Sequence, residues 1–240
     1  MLRLVLLGTG DSFCSDGRGS TSVLIDGSTR ILLDCPPQIV YALRSNGYLP
    51  NDVNYALISH LHGDHVVGLV FLAECLLYKD KGALGVYGPK DLKNLVYSLY
   101  RKLFPRADLS RVLNFLPNMS GLPFICTKAR GVHSPPDTIY RIQLDGTTIV
   151  YTGDTTETDL SKIAKNADYL IHEASETDAA VARHLRHSTP IQAARAAKRA
   201  GARNLVIVHS PRLTPRLKHQ VTRIFPRTIF STDGQIIDVP

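Results

Sequence analysis

The six residues His60-Leu61-His62-Gly63-Asp64-His65 directly follow an apolar run, Asn54–Ser59, which has the composition of a buried strand. They contain three of the nine histidines of the chain and one carboxylate, and their glycine lets the backbone turn. Imidazole nitrogen and carboxylate oxygen are ligands that suit zinc, manganese or iron. A loop at a strand end lets such side chains converge on one pocket, so the sequence predicts a metal site here rather than an incidental polar loop.

Three further candidate ligands stand at the ends of other strand-like runs. His133 follows the run that ends near Arg130, Asp154 lies in Tyr151–Thr155, and His209 ends Leu205–His209. Taken singly, a histidine at a strand end is more often a hydrogen-bonded structural residue than a ligand. Their shared placement with the six-residue cluster favours one common site.

Short apolar runs and helical patterns share the chain in both halves. The expected strands are Leu2–Thr9, Ser22–Asp26, Arg30–Cys35, Asn54–Ser59, one near Val86, Phe124–Arg130, Tyr140–Leu144, Thr148–Thr152, Tyr169–His172, Leu205–Val208 and a final pair that turns at Asp233-Gly234. The expected helices are Pro36–Ser45, Val66–Lys79, Asp91–Leu103, Leu160–Asn166, Asp178–Leu185, Pro190–Ala200 and Thr214–Ile224. This order predicts an α/β (α+β) fold in one domain, residues 1–240, with two mixed sheets face to face and helices on the outer faces.

Composition places the chain among soluble globular proteins, with 44% hydrophobic and 20% charged residues. No apolar run approaches the roughly 20 residues that a membrane-spanning helix needs, so no membrane association is expected. The four cysteines, Cys14, Cys35, Cys75 and Cys126, are far apart and form no CxxC pair. We therefore expect free thiols and a reducing, cytoplasmic compartment.

Positive charge is concentrated near the carboxyl terminus. Residues Ala179–Thr232 contain no Asp or Glu but eleven Arg and Lys, within a net charge of +7. A field of one sign would concentrate an anionic substrate such as RNA at the surface. A solvated basic face without a specific partner accounts for the same residues equally well.

The order of these motifs resembles the metallo-β-lactamase superfamily: His-x-His-x-Asp-His, a lone His133, Gly153-Asp154-Thr155 and the strand-end His209. The resemblance extends from Gly8-Thr9-Gly10 to Asp233-Gly234. Two later motifs, Ile171-His172-Glu173-Ala174 and His187-Ser188-Thr189, resemble the phosphodiesterase branch that contains ribonuclease Z. The resemblance implies an αββα sandwich and a binuclear metal-dependent phosphodiesterase that acts on RNA or small nucleotides.

The resemblance also implies roles for individual residues around two divalent ions, zinc being expected first and manganese or iron as alternatives. His60, His62 and His133 would bind one ion, Asp64, His65 and His209 would bind the other, and Asp154 would bridge them. Asp34 would support the ligands. Asp64 would accept the proton of the attacking water, and His187, held by Glu173, would donate a proton at the leaving group. The Thr9–Ser12 loop and Arg212 would lie near phosphate.

The chain departs from ribonuclease Z in one respect that bears on its substrate. No segment matches the arm that grips transfer RNA, because the spacing from His133 through Asp154 to His172 is compact. Ile139-Tyr140-Arg141 also replaces the Gly-Tyr-Arg of that family. A precursor tRNA and a smaller phosphodiester, such as a cyclic nucleotide or short RNA, are therefore both expected candidates.

Two other functions are compatible with the motifs, and a homodimer is possible. The first is a hydrolase of another ester class, such as a thioesterase or lactamase, because these enzymes share the His-x-His-x-Asp-His motif. The second is a non-catalytic basic module that binds nucleic acid. That module would explain the charge, but it would not require seven converging metal ligands.

Overall fold

The computed structural model describes residues 2–105 and 108–239. It contains thirteen β-strands, β1–β13 in chain order: Leu2–Gly8, Ser22–Asp26, Arg30–Leu33, Tyr55–Leu57, Leu84–Tyr87, Leu113–Phe115, Ile125–Arg130, Thr138–Leu144, Thr147–Tyr151, Tyr169–Glu173, Asn204–Val208, Thr228–Phe230 and Gln235–Val239. Seven α-helices, α1–α7, comprise Ile39–Ser45, Gly63–Val66, Gly68–Tyr78, Leu92–Leu103, Ala179–Leu185, Pro190–Ala200 and Pro215–Ile224. Among the described residues, no helix has both the length and the apolarity to cross a membrane.

The strands form two mixed sheets. The first has the order β13-β1-β2-β3-β4-β5-β6, in which β3 to β6 run parallel and the remaining pairs are antiparallel. The second has the order β12-β11-β10-β9-β8-β7, in which β9 to β12 run parallel and β7 to β9 alternate in direction. Because several neighbours are parallel, their carboxyl ends share one edge of each sheet, as in other α/β folds that place a site there.

Three apolar clusters define the layers. One lies between the sheets and includes Leu4, Ile31 and Ile171, which are fully buried. A second packs the outer face of the first sheet against α1, α3 and α4, and a third packs the second sheet against α6 and α7. The order helix, sheet, sheet, helix is the predicted αββα sandwich, and it is confirmed.

Two of the predicted elements are wrong. Leu160–Asn166 forms turns rather than a helix. Turns are enough to bury the two apolar side chains of Leu160 and Ala164. The segment ends at Asn166, which has a left-handed φ of +51°. The last two strands do not pair across Asp233-Gly234: β12 pairs with β11 in one sheet, and β13 pairs with β1 in the other. The alternation of side chains identifies a strand, but it does not identify its partner.

The connection between β8 and β9 is a tight turn at Asp145-Gly146. Both residues have positive φ, +48° and +78°, as two-residue hairpins favour. The Asp145 carboxylate accepts hydrogen bonds from the amide (2.7 Å) and the hydroxyl (2.6 Å) of Ser28, which fixes the turn to the other sheet. This part of the chain therefore carries no arm.

Candidate metal centre

Strand ends bring the predicted ligands of both sheets to one rim of the sandwich. In the first sheet, β4 leads into the loop with His60 and His62 and the short helix α2 with Asp64 and His65. In the second sheet, β7, β9 and β11 lead to His133, Asp154 and His209. β7 and β9 run in the same direction because both are antiparallel to β8. Their carboxyl ends therefore reach the same rim as that of β11.

The first group consists of His60, His62 and His133, which meet through ring nitrogens. Nδ1 of His62 lies 3.0 Å from Nε2 of His60 and 3.2 Å from Nε2 of His133. Burial lowers the pKa of each of the three imidazoles, and the neighbouring histidines lower it further. These rings are therefore neutral at physiological pH, the state in which a histidine can bind a cation.

The second group consists of Asp64, His65 and His209. Oδ2 of Asp64 lies 3.2 Å from Nε2 of His65 and 3.3 Å from Nε2 of His209. Burial alone would raise the pKa of Asp64, but the hydrogen bond from His209 and the charges of both histidines outweigh it and hold the pKa well below its usual range. This carboxylate is therefore ionised throughout the physiological range.

Asp154 lies between the two groups and is 1% exposed. Its Oδ2 is 3.5 Å from Nε2 of His65, 3.6 Å from Nε2 of His209 and 3.7 Å from Nε2 of His60. Burial would raise the pKa of Asp154, but the charges of His209 and His65 reverse that effect and lower it well below its usual value. One ionised oxygen thus faces ligand nitrogens of both groups.

Asp34, whose predicted role is to support the ligands, fixes two of the rings. Its Oδ2 accepts hydrogen bonds from Nδ1 of His65 and from the Ser59 hydroxyl, both at 2.7 Å. Because that hydroxyl donates its proton to Asp34, it accepts from Nδ1 of His60, 3.0 Å away. The Tyr151 hydroxyl, from the opposite sheet, adds a further donor to Asp34 at 2.5 Å.

Glu173 makes the same kind of arrangement in the second sheet. Its Oε1 accepts from Nδ1 of His187 at 2.9 Å, and its Oε2 accepts from the Ser175 hydroxyl at 2.7 Å. The Ser175 oxygen then accepts from Nδ1 of His209, 2.8 Å away. Glu173 therefore holds His187 directly, as the sequence predicted, and it also orients His209 through a serine that the sequence analysis did not identify.

His133, the member of the first group that follows a strand of the second sheet, is oriented by the backbone. Its Nδ1 donates to the carbonyl oxygen of Arg186 at 3.0 Å. Arg186 has a left-handed φ of +59° and ends helix α5. With Nδ1 of His60, His65, His133 and His209 each engaged as a donor, Nε2 is the ring atom that faces the centre of the cluster.

The cluster has the features of a site built for cations. Nε2 of His65 and Oδ1 of Asp154 are buried without a hydrogen-bond partner among the described residues. Ligand atoms within each group lie 3.0–3.3 Å apart. Tetrahedral coordination with metal–nitrogen bonds of 2.0–2.1 Å would place ligands about 3.3 Å apart. The donor set of imidazoles and carboxylates therefore fits divalent metal ions, one for each group.

Asp137 is a buried acid of the site that the sequence analysis missed. Its Oδ1 accepts from the amide of Asp154 at 3.2 Å and lies 3.4 Å from Nδ1 of His60. Burial raises its pKa well above the usual value, and the charges of Asp154 and Asp34 raise it further. It packs between Gly131 and Gly153. Its only sequence signal is its position four residues after His133.

Two peripheral parts of the prediction, the Thr9–Ser12 loop and Arg212, lie outside the ligand groups. The Thr9 hydroxyl donates to Oδ1 of Asp233 at 2.7 Å, and Asp11 accepts from the amides of Phe13 and Ser15. These side chains stabilise the N-terminal loop itself. Arg212 is exposed and borders a separate cavity, which is described below.

Comparisons with known proteins agree with this geometry. A family model described as "Anti-Pycsar protein Apyc1" matches residues 2–190. A protein named ribonuclease Z from Pediococcus pentosaceus is 28% identical over 306 aligned positions, covering 100% of this chain and 99% of the relative. Because this chain has 240 residues, at least 66 of those 306 positions have no counterpart in it.

Solved structures share the fold over nearly the whole chain. The metallo-β-lactamase fold protein YhfI from Bacillus subtilis has a TM-score of 0.81 at 22% identity, covering 99% of this chain and 100% of its own. The short form of human tRNase Z has a TM-score of 0.81 at 24% identity, covering 99% of both chains. The predicted metallo-β-lactamase fold and the likeness to ribonuclease Z are confirmed.

Gly153 offers a test of how closely the centre is packed. It has a φ of +56°, and a Cβ there would lie 2.2 Å from Oδ1 of Asp137 and 2.6 Å from Cβ of Ser59. We expect Gly153→Ala to cost about 3 kcal/mol or more in the free energy of unfolding, from left-handed strain and overpacking together. Urea denaturation of the metal-free protein measures this cost.

Gly121→Ala is the matched control, because Gly121 has a φ of +73° and open space around the added Cβ. Left-handed strain alone predicts a loss of about 1–2 kcal/mol for that variant. Equal losses for the two variants would contradict the tight packing around Asp154.

Proposed function

Because the chain belongs to the family of the anti-Pycsar protein Apyc1, we propose that it is a binuclear metal-dependent phosphodiesterase, formed by a single hydrolase domain. One observation carries the proposal: Oδ2 of Asp154 lies 3.7 Å from Nε2 of His60 in the first group and 3.5 Å from Nε2 of His65 in the second. The Glu173–His187 pair lies directly beside it, with Nδ1 of His187 4.0 Å from Oδ2 of Asp154. The residues to which we assign the roles of ligand, bridging acid and proton donor thus lie next to one another.

Seven residues would hold two divalent ions, with zinc as the proposed metal because imidazole and carboxylate suit its tetrahedral coordination. The proposed ligands are His60, His62 and His133 for one ion, Asp64, His65 and His209 for the other, and Asp154 between them. Bound ions would supply a hydroxide near neutral pH and neutralise charge on the phosphoryl oxygens.

The protein's own side chains would handle the protons. We assign Asp64 the proton of the attacking water on its position rather than its basicity: its side chain is 14% exposed and faces solvent in the pocket. His187 is a suitable donor. Burial would lower its pKa, but the hydrogen bond to Glu173 and that residue's charge raise the pKa to about 9. At pH 7 His187 is therefore protonated, and Nε2 is left to donate to the departing oxygen while Nδ1 stays bound to Glu173.

The substrate we propose is a small phosphodiester, either a cyclic nucleotide or a short RNA, rather than an intact precursor tRNA. The tight β8–β9 turn leaves no arm in this part of the chain, and at least 66 of the 306 positions aligned with the ribonuclease Z relative have no counterpart here. The basic residues of Ala179–Thr232 supply attraction to phosphate that does not depend on an arm.

Two further proposals concern the setting of the protein. The four cysteines are unpaired, which supports a reducing, cytoplasmic location. A homodimer stays a prediction, and light scattering of the metal-loaded protein at several concentrations would measure it.

A substrate panel on one metal-loaded sample tests the function. We expect two metal ions per chain by elemental analysis, and turnover of bis-p-nitrophenyl phosphate and of a cyclic nucleotide that stops on chelation and returns with zinc or manganese. Thioester and β-lactam substrates should react at least about 100-fold more slowly, since the proposed site is arranged to stabilise the charge that develops on phosphoryl oxygens. Tight RNA binding that survives chelation, with no turnover under any metal, would instead identify a binding module.

The role of His187 predicts a dependence on the leaving group. His187→Ala should lower kcat for a nucleotide diester, whose alkoxide needs protonation, by about 100-fold or more. The loss for a p-nitrophenyl diester should stay below about 10-fold, because its phenolate departs without a proton. Equal losses for the two substrates would rule out proton donation to the leaving group.

The serine contact to His209 predicts a loss of metal affinity. Ser175→Ala removes the acceptor for Nδ1 of His209, so the affinity of the second group should fall about 10- to 100-fold, measured by chelator competition on the metal-free protein. Ser175→Thr retains the hydroxyl and should keep most of the metal affinity of the second group. Ser59→Ala is the matched variant in the other sheet and should weaken the first group instead. Unchanged affinity in Ser175→Ala would contradict the positioning role.

A further inference from the structure

A cavity of about 320 Å³ lies at the rim of the second sheet, outside the ligand cluster. Its lining includes Arg18 from the N-terminal loop, Ser210 and Arg212 from the loop after β11, Lys218 on α7 and Phe230 at the end of β12. Ser210 directly follows the predicted ligand His209, so the cavity begins one residue away from the second group. Its volume is at the lower end of the range of small-ligand sites, about 300–1,000 Å³.

Arg18 forms one wall of this cavity, and its charge is paired with a neighbouring acid. Its Nε donates to both carboxylate oxygens of Asp16, at 3.1 and 3.0 Å, which neutralises the one acid in the lining. Its Nη2 donates to the carbonyl of Ser210 at 2.5 Å, and its Nη1 donates to the carbonyl of Thr9 at 3.3 Å. These bonds join the N-terminal loop to the end of β11 and give the cavity a fixed edge.

The uncompensated charges of the lining are Arg212 and Lys218. Neither forms a salt bridge within the described residues 2–105 and 108–239. The Lys218 ammonium lies 5.3 Å from the centroid of the Phe230 ring, a cation–π contact that holds it beside the cavity. The lining therefore carries a net charge of about +2 and favours an anion.

Ser210 supplies the second, independent observation. It is 3% exposed, and its side-chain hydroxyl has no hydrogen bond to any described residue, while its backbone amide and carbonyl are bonded to Thr9 and Arg18. The hydroxyl of this largely buried residue opens onto the cavity without a partner among the described residues, so it is available to donate to a bound ligand.

We propose that this cavity binds a phosphate group at a position separate from the metal centre, with Lys218 and Arg212 supplying charge and Ser210 donating a hydrogen bond. A tetrahedral anion with several acceptor oxygens suits a lysine, a guanidinium fork and a hydroxyl together. The choice of phosphate rests on the proposed function, since a phosphodiester substrate brings such groups to this rim. The phosphate belongs either to the same substrate, next to the bond that is cleaved, or to a free nucleotide.

The binding experiment uses the full chain after chelator treatment, so that no metal competes for the probe. Inorganic phosphate and adenosine monophosphate are titrated by calorimetry. We expect both to bind, and we expect Lys218→Gln and Ser210→Ala each to weaken binding by about 10-fold. Arg216→Gln, two residues away on the same helix and outside the lining, removes the same charge and should leave binding unchanged. Absence of binding, or equal weakening in Arg216→Gln and Lys218→Gln, would overturn the proposal.

A kinetic experiment distinguishes the two sources of phosphate. The metal-loaded protein is given a dinucleotide with and without a 5′-phosphate, and the ratio of kcat/KM for the two is compared between wild type and Lys218→Gln. A wild-type ratio of about 10 that falls toward 1 in the variant assigns the cavity to a flanking substrate phosphate. A ratio near 1 in both, with probe binding that depends on Lys218, assigns it to a free nucleotide. If no phosphodiester is hydrolysed, the proposed function fails while the binding experiment still decides the cavity.

Discussion

The centre depends on two buried carboxylates that accept four hydrogen bonds each. Asp34 accepts from the amide and hydroxyl of Ser59, from His65 and from Tyr151. Glu173 accepts from the amide of Thr155, from the amide and hydroxyl of Ser175 and from His187. An ionised carboxylate away from water is costly unless it is paired in this way. The donors that satisfy each acid are thus the groups that fix the imidazole rings around it.

The same arrangement of hydrogen bonds in both sheets orients side chains from distant parts of the chain before an ion binds. Each carboxylate holds one ring directly and a second ring through a serine hydroxyl, so two ring orientations follow from one acid. The hydroxyl of Tyr151 reaches Asp34 across the sandwich and therefore ties the geometry of one sheet to the other. A preorganised ligand set of this kind lowers the ordering cost of binding.

Much of this could be predicted from the sequence, because the ligands stand at the ends of apolar runs and parallel strands end at one edge. The superfamily order of motifs then added the grouping of the ligands around Asp154. The supporting residues could not be predicted in the same way: Ser59, Ser175 and Asp137 are common residue types, and their roles depend on distances between chain segments. The turns that replace the predicted helix at Leu160–Asn166 could not be predicted either, because turns and a helix bury its two apolar side chains equally well.

Arg186 links the proposed metal centre to the basic surface through one residue. Its carbonyl oxygen orients His133, and the left-handed conformation that makes this contact also ends α5 and positions His187 next in the chain. Its side chain is exposed and belongs to the basic stretch. This exposed basic surface is therefore built on the same backbone that orients His133 and precedes His187. Since the β8–β9 connection is a tight turn without an arm, the proposed function would leave substrate selection to such rim residues, whose positions are tied to the site they surround.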